Sequence, residues 1–306
     1  MTERDIEKLE QERQQRIEDY TKLLSEMKEE DPELESMIRV SPVSITDFQS
    51  VLNPNTCVLN FFITDDSTYV WQIDHNSVQR QILPTGRSEI NGLVLNFQRT
   101  RKTADSTGQM LAGTRDFYDF VLAPLKEFYQ NYQTILIVPD GNLFQIPFNF
   151  LIRIDANPDK YEHNAVVVPS LSSYYYIHQK RRITGERIYL VDDEELKHTV
   201  QSNGFILILD DSSNVSGIRQ KIEDCDILHL KMKINWSDGD PLMTKIHLPN
   251  GIEISEKNIY SFDMKANLAV LNSEILERGA NAAKFSSFNR AIFYAGTPTI
   301  LYKLWP

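Results

Sequence analysis

The sequence predicts an α/β protein: a mostly parallel sheet with helices on both faces, preceded by a helix and a small antiparallel meander. Three observations predict it. Five β-rich apolar runs recur through the second half: "TILIVPDG" (134–141), "RIYLVD" (187–192), "FILILD" (205–210), "DILHLKM" (226–232) and "ANLAVLNS" (266–273). Continuous apolar runs of that length mark strands buried on both faces. Segments of crossover length separate them, which is the grammar of strand–crossover–strand units. Ahead of them, three shorter β-rich runs are joined by tight, turn-rich links.

In chain order, residues 3–30 contain neither Gly nor Pro and place Ile6, Leu9, Ile17, Tyr20, Leu24 and Met27 at helical spacing. The apolar stripe is narrow, so this charged helix, within a segment 1–39, is expected to lie lightly on its surroundings or on a partner. "DPELESMIRV" ends it, and "SITDFQSVL" reads as a short capped helix. The meander candidates are 56–64, 68–73 and 77–83, joined by "DDS" and "DHN". Two helices follow, over roughly 87–102 and 109–131. The second carries Phe117, Phe120, Val121, Leu125 and Phe128 on one expected face. The organisation expected is therefore 1–39, a 40–133 region of meander and helices, and a 134–306 α/β core.

Composition narrows the function classes. Hydrophobic residues make up 41% of the 306 residues, enough for a real core. The N-terminus is charged and shows no signal peptide, and no run of ~18 apolar residues suggests a membrane span. The two cysteines, Cys57 and Cys225, make no disulfide framework and no metal spacing, so a cytoplasmic protein without metal or cofactor is expected. A net charge of −11 argues against a nucleic-acid surface. Two basic runs, "QRTRK" (98–102) and "QKRR" (179–182), read as solvated helix ends, with an acidic partner as the alternative.

In parallel sheets, functional residues sit just past the carboxyl ends of strands. The places to search are Asp140–Gly141, Asp192–Asp193, Lys231–Asn235 and Asn272–Glu277. Here the residues carry a resemblance. "ILIVPDGNLFQIPFNFL" (135–151) and "AVVVPSLSSYYYI" (165–177) resemble the opening of a CHAT domain, the caspase-like peptidase domain often found behind tetratricopeptide repeats in bacteria. "SSNVSGIRQKIEDCDILHL" (212–230) is similar to the helix and strand that lead to the family's catalytic histidine. Residues 238–273 are similar to the segment between histidine and cysteine, with its hairpin and helix. "FNRAIFYAGTPTILYKLWP" (288–306) is similar to the closing helix and strand. The resemblance covers nearly the whole chain. It implies a cysteine endopeptidase fold in which the five apolar runs share one sheet; antiparallel pairing throughout, or two separate sheets holding these five, would sink the caspase-like assignment. Against the family pattern the chain also stops early at Pro306, which is expected to leave apolar surface on the last strand open to a partner.

The departures decide the functional expectation. Lys233 falls where the resemblance places the catalytic histidine, and Glu274 falls where it places the nucleophilic cysteine. A cysteine peptidase needs a thiol beside a base that titrates near neutrality. A lysine, with an ordinary pKa of ~10.4, is charged at neutral pH unless strongly desolvated. His229 reads as a packed mid-strand residue, and Cys57 and Cys225 as small buried hydrophobes. Lys233 and Glu274 are expected to face each other across the former cleft, charged atoms within ~4 Å or joined by one bridging water.

The expectation is a degenerate dyad and a pseudo-protease that binds or regulates a protein partner: an active protease, its substrate or a helical-repeat protein. The alternative is a hydrolase using Ser273 as nucleophile and Lys233 as base, which requires Lys233 to be buried away from carboxylates.

Overall fold

The structure, a computed structural model, describes residues 43–103, 114–152, 163–179, 185–191, 206–208, 214–237, 239–248, 251–272 and 282–302, together with Gln15, Asp19 and Lys22. These three are helical. The rest of the expected N-terminal helix lies outside the described residues.

The first unit opens with α1 (Ile45–Val51), capped by Ser44, whose hydroxyl accepts the Asp47 N–H at 3.1 Å. The meander follows as β1 (Thr56–Ile63), β2 (Thr68–Ile73) and β3 (Val78–Leu83), each antiparallel to the next. Then come α2 (Arg87–Thr103) and a helical stretch, α3 (114–129). β4 (Thr134–Val138) leads through a 3-10 turn at Gly141–Gln145 and α4 (Phe148–Leu151) to β5 (Asn164–Val167) and α5 (Leu171–Gln179). The sheet order is β3-β2-β1-β4-β5, with β1, β4 and β5 parallel.

This sheet has helices on both faces. Leu59, Phe61, Ile135 and Ile137 pack with Ile90, Val94 and Phe97 of α2 and with Val121 and Leu125 of α3. Val58, Leu136 and Val138 point the other way, onto Phe48 of α1 and Leu171 and Tyr174 of α5. One expected face is corrected here. A π turn over Tyr118–Leu122 inserts an extra residue per turn and rotates the stripe, so Phe120 is 58% exposed while Tyr118 and Leu122 are buried.

The second sheet contains β6 (Arg187–Val191), β7 (Ile206–Ile208), β8 (Ile227–Lys231), β12 (Leu268–Asn272) and β13 (Ile300–Tyr302), in the order β13-β12-β8-β6-β7. All four pairings are parallel. Its core face carries Tyr189, Val191, Leu228, Leu230 and Leu271 against Ile218 and Ile222 of α6 (Val215–Asp224) and Phe288 and Ile292 of α8 (Ala282–Tyr294). Ile188, Leu190 and Ile227 form a separate small cluster on the opposite face. Between β8 and β12 the chain makes a third, antiparallel sheet, β11-β10-β9, from β9 (Lys233–Asn235), β10 (Lys245–His247) and β11 (Glu253–Ser255), followed by α7 (Glu256–Tyr260).

The five apolar runs therefore do not share one sheet. Four lie in the second sheet, and 134–138 belongs to the first, so the single-sheet caspase-like expectation is not met. The reason lies in β1. Its residues are buried almost throughout, yet the meander gives it one neighbour only, β2. Its other edge needs partners for its peptide groups, and β4 supplies them from Thr56 opposite Thr134 to Asn60 opposite Val138. The ladder thus runs across the expected boundary at residue 133. Among the described residues no helix is long and apolar enough to cross a membrane.

Candidate functional site

The structure sets the carboxyl ends of β8 and β12, two of the strand ends marked in the sequence, side by side in the second sheet. β8 and β12 are adjacent and parallel, and their register runs from Leu268 opposite Ile227 to Asn272 opposite Lys231. The Met232 N–H then donates to the Asn272 carbonyl at 3.2 Å. β8 and β12 therefore end side by side, and Lys233 lies two residues past the end of β8. Ser273, Glu274 and the expected Lys233–Glu274 pair lie outside the described residues, as do Asp192 and Asp193.

Alternation assigns the side chains around this end. Leu228, Leu230 and Met232 enter the core, and Lys231 and Lys233 are exposed. After the single residue Met232, the chain enters β9 directly, so Lys233 is a ladder residue of the hairpin sheet, opposite His247. Ile234, Ile246 and Ile254 bury the inner face of that sheet. Its outer face is polar. The Asn235 amide donates to His247 Nε2 at 2.8 Å, and His247 Nδ1–H reaches Glu253 Oε1 at 3.1 Å. Lys245 Nζ donates to Glu253 at 2.8 Å, and this bond, with the nearby charges, holds the exposed Glu253 carboxyl below its usual range. Sequence reading passed over this His–Glu–Asn group, because alternating polar residues on a short hairpin look like an ordinary solvated face. A Lys233 exposed on that face lacks the burial that a serine–lysine pair requires.

The remaining candidates sit where they cannot serve this end. Cys225 precedes β8, at the opposite end of the strand; its thiol is buried, donates to the Ile222 carbonyl at 3.3 Å and is pushed up to about 12 by burial. Cys57 is buried in β1 and is also pushed up to about 12, by burial and then by the charge of Asp74. Neither can supply a thiolate near neutral pH. His229 occupies the middle of β8, between Leu190 and Val270. Asp140, past β4, accepts the Ile63 N–H at 2.8 Å and so ties two strand ends together. Among the described residues no group of three or more His, Cys, Asp or Glu is placed to hold a metal.

One buried acid was not singled out by the sequence. Glu256 opens α7 behind the capping box of Ser255 and Asn258, where a first-turn acid is normally solvated. Here α8 packs over it and leaves it 1% exposed, with Ser287 Oγ donating to Oε1 at 2.5 Å and Oε2 without a hydrogen-bond partner. Burial pushes its carboxyl up to about 7, against the Ser287 bond and the charge of Arg290, and Asp240 adds to the rise. A second feature lies between the sheets: a cleft of about 280 Å³ where the edge strands β5 and β13 come to one space, with Asn289 of α8 in its wall. Compared with known proteins, the chain matches no protein-family model and no curated protein.

Proposed function

We propose that this chain is a non-proteolytic relative of the CHAT peptidases that works in the cytoplasm by binding and regulating a protein partner. The observation that carries the reading is the register of β8 and β12. Their carboxyl ends are neighbours, so the two positions the resemblance assigns to base and nucleophile follow from one sheet end. At that end stands an exposed lysine, tied into a hairpin ladder, and the sequence continues from β12 into Ser273 and Glu274. Both thiols are buried elsewhere with their pKa raised. The reading takes from the resemblance only the second sheet, its hairpin and its loops; the single five-run sheet is set aside. A partner could be an active protease, that protease's substrate or a helical-repeat protein.

The test is proteolysis. Wild-type protein is expected to cleave a peptide library no faster than the double variant Lys233→Ala, Glu274→Ala. Cleavage above that background, or labelling of Ser273 by a covalent serine probe, would overturn the non-proteolytic reading in favour of a Ser273/Lys233 hydrolase.

A further inference from the structure

Strands β5 and β13 are the adjoining edges of the two large sheets, and both contribute walls to the same cleft. Among the described residues no strand pairs with the outer side of either. In a parallel ladder, alternate residues direct both peptide groups to alternate sides. The Asn164 and Val168 N–H groups donate inward, to the Gln133 and Ile137 carbonyls. Val167 therefore directs its N–H and carbonyl outward, at the cleft. The neighbouring outward donor, the Ala165 N–H, is already held by Asn149 Oδ1 at 3.2 Å. The Thr299 carbonyl bonds inward to the Ala269 N–H, so the peptide groups of Ile300 also face the open side.

The lining adds a further requirement. Phe144, Ile177, Phe293 and Ile300 make the cleft largely apolar; among the described residues lining it there is no Asp, Glu, Lys or Arg, and His178 is its one imidazole. An uncharged occupant with an apolar side chain matches such walls. Outward peptide groups on an edge strand and an apolar pocket beside them are together what an extended backbone satisfies.

We propose that this cleft binds an extended, uncharged peptide segment of a partner protein, which adds to the edge of β5 at Val167 and inserts an apolar side chain between the two sheets. This deepens the protein-binding part of the function proposed above. Its test is independent of the proteolysis assay, so either can fail alone.

The experiment uses the full chain and a pool of acetylated, amidated hexapeptides with Leu, Ile, Val or Phe at alternate positions and Ser or Thr between them, at ~1 mM total. Binding is read by calorimetry and by exchange protection of the Val167 amide. The expected result is binding with protection of that amide, weakened ~10-fold by Val167→Pro, a lost hydrogen bond. Val167→Pro removes the outward N–H while Val166 and Val168 keep the β4 ladder, and an edge strand tolerates proline. A second pool, N-methylated at alternate amides, tests the same point without altering the protein and is expected not to bind. No binding of the first pool, or equal binding of the N-methylated pool, overturns the proposal; the latter outcome would assign the cleft to apolar side-chain burial alone.

Discussion

Glu256 couples the stability of the second sheet's helical layer to pH. The perturbation is a rise in pH from 4.5 to 7.5, compared between wild type and Glu256→Gln. In the folded chain burial raises the carboxyl to about 7 from an ordinary 4.5. The folded state thus keeps a proton that the unfolded chain has released. Where the unfolded state binds fewer protons, stability falls as pH rises. The contribution is fully present below about 4.5, is lost between 4.5 and 7, and is flat above. At 1.36 kcal/mol per pKa unit, the loss is about 3 kcal/mol.

The groups facing Glu256 set that size. Ser287 and Arg290 of α8 favour the charged form, and Asp240, just before the hairpin's 3-10 turn, opposes it. Tyr260 of α7 is itself pushed up to about 12, by burial and then by the Glu256 charge. Gln keeps the acceptor for Ser287 and cannot ionise. Urea melts at pH 4.5, 6 and 7.5 should therefore show the variant gaining on wild type by ~2–3 kcal/mol across the window, while the other carboxylates cancel in the difference. A difference that does not change with pH would refute the argument, because it would mean that the carboxyl is solvated in the folded state.

Two other outcomes are expected. Cys57 and Cys225 should resist iodoacetamide at pH 7.5 in the folded protein and react fully after unfolding, as read by intact mass; rapid native labelling of either would contradict their burial and raised pKa. Leu230→Ala, at a site 3% exposed in the centre of the second core, should cost ~2–5 kcal/mol in a denaturant melt without changing sheet content by circular dichroism.

Much of the fold is local and so could be read in advance. The runs that became β4, β6, β8 and β12 announce themselves as unbroken apolar stretches, and Ser44 announces α1 through its spacing to Asp47. The choice of ladder partner is not local. "TCVLNFFIT" has the texture of a two-sided central strand, but nothing in it names Thr134–Val138 as the second neighbour. Phe120 was misplaced because a π turn is invisible to a 3.6-residue period. Glu256 and Asn289 were passed over for a shared reason. Each looks like an ordinary helical polar residue until distant packing buries it, and burial is a property of the tertiary contact. At the site, Lys233 lies where the strand-end rule sends attention, whereas the His247–Glu253–Asn235 group depends on a hairpin register no single residue reveals.

The β1–β4 ladder also has a consequence for how the chain is made. During synthesis the meander emerges first, with the outer edge of β1 unpaired, and the whole of α2 and α3 must follow before β4 can close it. That strand is apolar and rich in β-branched and aromatic residues, the kind of template that recruits strands from other chains. The nascent protein thus passes through an interval when a strand destined for the core is an adhesive surface. A pause in translation inside that interval favours aggregation, and one after Val138 has left the ribosome does not.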